Sequence, residues 1–80
     1  MHDIKALVEG LIFLSGEEGL SMIQIQNALQ IEESQKVQDA LLSLKEEYAS
    51  PAKGIELVEY ASRYKFVTKD FVYPFGQKLF

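Results

Sequence analysis

Glu33-Ser-Gln-Lys-Val-Gln-Asp-Ala-Leu-Leu-Ser-Leu-Lys-Glu-Glu-Tyr48 is the stretch whose reading decides the fold. Its apolar residues Val37, Ala40, Leu41, Leu44 and Tyr48 recur at the spacing of one buried helical face. No Gly or Pro interrupts the run, and Pro51 closes the region just beyond it. Upstream, Ser21 and Gln24 stand at capping-box spacing, with Leu20 and Ile25 at the staple positions around them. This predicts a short helix finished by Ala28 and Leu29, tied to the next by Gln30-Ile31-Glu32. Two helices joined by so few residues form a helix-turn-helix.

Working outward, Asp3 caps a first helix reaching Ser15, with Ile4, Leu7, Val8, Leu11 and Ile12 on one face. Gly16 is placed to end it, and Gly16 and Gly19 bracket a turn at Glu17-Glu18. After Ser50-Pro51-Ala52-Lys53-Gly54 the apolar period changes from that of a helix to that of a strand. Gly54 to Tyr60 reads as one strand, Ala61-Ser62-Arg63 as a turn, and Tyr64 to Thr68 as an antiparallel return. Asp70 to Phe80 reads as a last helix capped by Thr68 or Asp70, with Pro74 near its first turn, where a missing N–H costs least. The expected fold is mainly α with a small antiparallel β-hairpin, a winged helix-turn-helix, in a single domain over residues 1–80. Leu7, Leu11, Ile25, Leu29, Val37, Leu41, Leu44, Ile55 and Leu57 are expected in its core, and Phe66 with them. The chain stops at Phe80 within an amphipathic pattern, as a piece of a longer protein would.

Charge limits the function. The net charge is −4, but residues 1–50 hold nine acids and three bases, and residues 51–80 three acids and five bases. Along Glu33–Tyr48 four acids face two bases. In a DNA-reading domain this helix would enter the major groove, where neutralising phosphates supplies most of the affinity. A helix of net negative charge is repelled there. Only Arg63, Lys65 and Lys69 on the wing leave an opening for phosphate contact, the basis of an alternative reading as a DNA-binding transcription regulator.

Chemistry is scarce. His2 is the only histidine and there is no cysteine, so the usual nucleophile–base pairs and His/Cys metal sites cannot be assembled. Glu17-Glu18, Glu32-Glu33 and Glu46-Glu47 point in different directions and read as solvated acids; the five glycines form no phosphate-cradling loop. No enzyme activity, cofactor or metal is expected. The longest apolar run, Leu11–Leu14, is far too short to span a bilayer.

What the chain does have is surplus apolar surface. Both faces of the wing carry apolar side chains, Ile55 and Leu57 on one and Val58 and Tyr60 on the other, where a hairpin lying on its own domain needs one. Cover for the second face by the last helix is the structural explanation; a partner is the functional one. Phe13 and Leu42 also lie off the buried stripes of their helices. Phe13, Leu42, Val58, Tyr60 and Tyr64 are therefore the candidate protein-interface residues.

Specific words add a family. Val8-Glu9-Gly10-Leu11-Ile12-Phe13, then Gly16-Glu17 and Gly19-Leu20-Ser21, resemble the opening of the bacterial segregation and condensation protein B (ScpB) family. Gly54-Ile-Glu-Leu-Val-Glu59 followed by Tyr64-Lys-Phe-Val-Thr-Lys69 is similar to that family's wing, and is the more specific match. The resemblance implies the amino-terminal one of two tandem winged-helix domains. It further implies a non-enzymatic, cytoplasmic subunit that homodimerises and holds the kleisin ScpA within the Smc complex, for chromosome condensation and segregation during cell division. Gly10 departs from the family's more frequent Ala, at a cost of about 1 kcal/mol of helix propensity. The Pro74–Gly76 segment departs as well.

Overall fold

The computed structural model describes residues 2–80. Helix α1 (Ile4–Ser15) is started by Asp3, whose carboxylate accepts the Lys5 N–H at 3.0 Å. A 3-10 turn over Gly16–Glu18 leads to α2 (Met22–Leu29). Both capping-box bonds are present: the Gln24 N–H donates to Ser21 Oγ at 3.2 Å and the Ser21 N–H to Gln24 Oε1 at 2.9 Å. Helix α3 (Ser34–Tyr48) follows, then β1 (Ile55–Tyr60) and β2 (Arg63–Thr68), paired antiparallel from Ile55 opposite Thr68 to Tyr60 opposite Arg63. This is the winged helix-turn-helix expected from the sequence.

The core is Val8 and Ile12 of α1, Ile25 of α2, Val37, Ala40, Leu41 and Leu44 of α3, and Leu57 of β1. Five of the nine expected core residues are in it. Leu7 is instead 37% exposed and Leu11 only half-buried, because α1 meets α3 and the wing along the Ile4–Val8–Ile12 line. A helix apolar on most of its circumference does not itself specify which line faces inward. Leu29 and Ile55 are half-buried at the margin. Phe66 packs on the core, its ring 4.9 Å from that of Tyr48.

The carboxy-terminal helix is a correction. Asp70–Phe80 is a broken run: a 3-10 turn over Asp70–Val72, a single α turn α4 (Tyr73–Gly76), and a 3-10 turn over Gln77–Leu79. Pro74 withholds a backbone donor and Gly76 carries the entropy of an unbranched backbone, so the turn does not propagate. Val72 reaches the base of the wing at Gly54, but Phe71, Tyr73, Phe75 and Leu79 remain exposed. The outer face of the hairpin keeps its exposed Tyr60; this segment does not bury it.

Two local features fix the wing. Leu20 pairs with Tyr64 as an isolated bridge, each N–H donating to the other's carbonyl at 2.9 and 2.8 Å, so the loop before α2 adds a one-residue third strand beside β2. A single bridging residue has no period from which it could be read. At the opposite end, β1 and β2 join through Ala61 and Ser62, both at positive φ (53° and 63°), one residue tighter than expected because Arg63 already belongs to β2. Two left-handed residues in a two-residue hairpin suit Asn-Gly better than Ala-Ser. Replacing the pair by Asn-Gly is expected to raise stability by about 1 kcal/mol, read as a thermal midpoint higher by roughly 4–8 °C.

Candidate functional site

Leu42 stands on the outward side of α3, 59% exposed, opposite the β1 strand of the wing. Between them runs a groove of about 190 Å³, lined on α3 by Gln38, Leu41, Leu42 and Lys45 and on the wing by Leu57, Val58, Glu59 and Tyr64. The α3 residues have the spacing of one helical face, which is why a continuous wall forms. Three of the five candidate interface residues, Leu42, Val58 and Tyr64, thus meet in one place. Tyr64 is half-buried against the core, and burial first, then the Glu59 carboxylate, raises its hydroxyl above the ordinary tyrosine range. It serves as wall rather than as a free aromatic.

The other two candidates lie elsewhere. Tyr60, 74% exposed, is on the outer face of the hairpin near its tip, with the Lys65 ammonium 5.7 Å from its ring centre. Phe13, 73% exposed, projects from α1 between two apolar hollows. One, of about 250 Å³, is bounded by Ala6, Gly10, Tyr48 and Phe66; the other, of about 270 Å³, by Ile12, Ile55, Phe66 and Val67. Projection and hollow on one face are the ingredients of a self-complementary contact.

The basic candidates are largely occupied. Arg63 donates from its guanidinium to the Gly19 carbonyl at 3.1 Å, and Lys69 donates to the Ser50 carbonyl at 2.6 Å. Both fasten the wing to the helical body. Lys65 alone among the three has its contact with a ring face. Among the described residues no group of three or more His, Cys, Asp or Glu side chains could hold a metal ion, and no helix is long and apolar enough to cross a membrane.

Beneath Phe13, the Tyr48 hydroxyl donates to the Glu9 carboxylate, joining α3 to α1. That bond first, with partial burial, pushes the Tyr48 hydroxyl up to about 12. A value raised on folding stabilises the native state fully below the ordinary value of 10.0 and ceases to do so as pH rises through about 12. Tyr48→Phe is therefore expected to remove the highest tyrosinate step from an ultraviolet titration. The same change should cost about 1 kcal/mol near neutrality, discounted for solvent screening.

Fold and groove together define a winged helix-turn-helix domain whose would-be reading helix offers carboxylates and a bare leucine where phosphates would need cations. The chain belongs to the family described as segregation and condensation complex subunit ScpB, whose model matches residues 6–80. Among its relatives, the segregation and condensation protein B of Bacillus pumilus (strain SAFR-032) is 42% identical over 65 residues, covering 81% of this chain and 32% of that protein. That of Bacillus subtilis (strain 168) is 39% identical over 75 residues, covering 94% of this chain and 38% of that protein. The matched part of the chain thus spans about a third of the length of these relatives. A solved structure, the crystal structure of a dimer of the ScpB N-terminal domain complexed with an ScpA peptide, superposes with a TM-score of 0.87 at 32% identity. The superposition covers 92% of this chain and 84% of the other.

Proposed function

We propose that this chain is the amino-terminal winged-helix domain of a non-enzymatic subunit that homodimerises and binds the kleisin ScpA in an Smc complex, acting in chromosome condensation and segregation. The observation that carries the reading is the likeness, over nearly the whole chain, to an ScpB N-terminal domain crystallised as a dimer with an ScpA peptide. The acidic α3 and its exposed Leu42 support it, because they suit a protein surface and repel a phosphate backbone. In this reading Phe13 and its two flanking hollows form the two-fold contact, each buried group counting once per protomer. The place of work is the cytoplasm, at the nucleoid.

Sedimentation equilibrium of the full-length protein at micromolar concentration is expected to give a dimer. Calorimetry should give a saturable complex with ScpA of the same organism. Phe13→Glu should weaken the dimer by about a hundredfold or more, since a large apolar side chain is lost from the contact twice. A clean wild-type monomer overturns the dimer. Salt-sensitive micromolar binding of duplex DNA, abolished by replacing Arg63 and Lys65 with Glu, would instead establish the DNA-reading alternative.

A further inference from the structure

We draw no further inference here: the strongest candidate, the apolar segment that follows the wing and leaves Phe71, Tyr73, Phe75 and Leu79 exposed, carries none because nothing in the structure shows what covers it.

Discussion

Gly19→Ala is expected to destabilise the domain by about 2–5 kcal/mol, the sum of backbone strain and overpacking. Gly19 has φ 71° and ψ 179°, a region open to glycine and closed to L side chains. A Cβ there would lie 2.7 Å from the Tyr64 carbonyl oxygen and 3.2 Å from the Lys65 Cβ. The obstacle is backbone, so no rotamer relieves it. That carbonyl is also the acceptor of the Leu20 N–H, and the Gly19 carbonyl is the acceptor of Arg63. Steric relief by shifting the wing would thus stretch two further bonds. A domain of this size has a total stability of roughly 4–12 kcal/mol, so the variant should show a sharply lower denaturant midpoint or no cooperative transition. A midpoint change equivalent to less than about half a kcal/mol would show that Leu20 and Tyr64 are not held this way.

Ile12→Ala is expected to cost about 2–5 kcal/mol and Leu7→Ala less than about 1 kcal/mol. The two residues sit on the same helix and lose comparable volumes, but Ile12 is 1% exposed and Leu7 37%. Truncating Ile12 leaves a cavity in the buried core cluster, which packed helices collapse only in part. Leu7 leaves only a dent filled by water. Chemical denaturation of the two variants side by side measures the rotation of α1 about its own axis. Equal losses would return Leu7 to the core.

The fold was legible because its signals were local. A capping box, an uninterrupted stripe on α3 and a change of period at Gly54 each name their element without reference to the rest of the chain. The rotation of α1 was not, since that helix also carries Leu7, Leu11, Phe13 and Leu14, and only the neighbours decide which of them turn inward. Tertiary pairing was equally hidden: nothing near Leu20 announces Tyr64. The last segment departs from its expected helix because apolar spacing alone suits a helix, while Pro74 and Gly76 limit it to a single α turn between 3-10 turns. For the site, the exposure of Phe13, Leu42 and Tyr60 followed from their positions off the buried stripes. That Leu42 and Val58 share a groove required the wing's placement. That Arg63 and Lys69 are spent on carbonyls depends on residues 44 and 19 positions away in the chain, Gly19 and Ser50.

The Leu20–Tyr64 bridge also orders events in time. Helices α2 and α3 are neighbours in the chain and can meet after closing only a short loop, whereas the bridge must wait for a segment of more than half the molecule to be drawn together. Such a contact returns its free energy only after that closure entropy has been spent, so it is expected to form after the α2–α3 contacts. The hairpin is local and can form on its own schedule, but its attachment comes late. Pulse-labelled hydrogen exchange is expected to protect the Leu20 amide after those of α2 and α3. The Leu20 amide, although it precedes a helix, reports on the sheet.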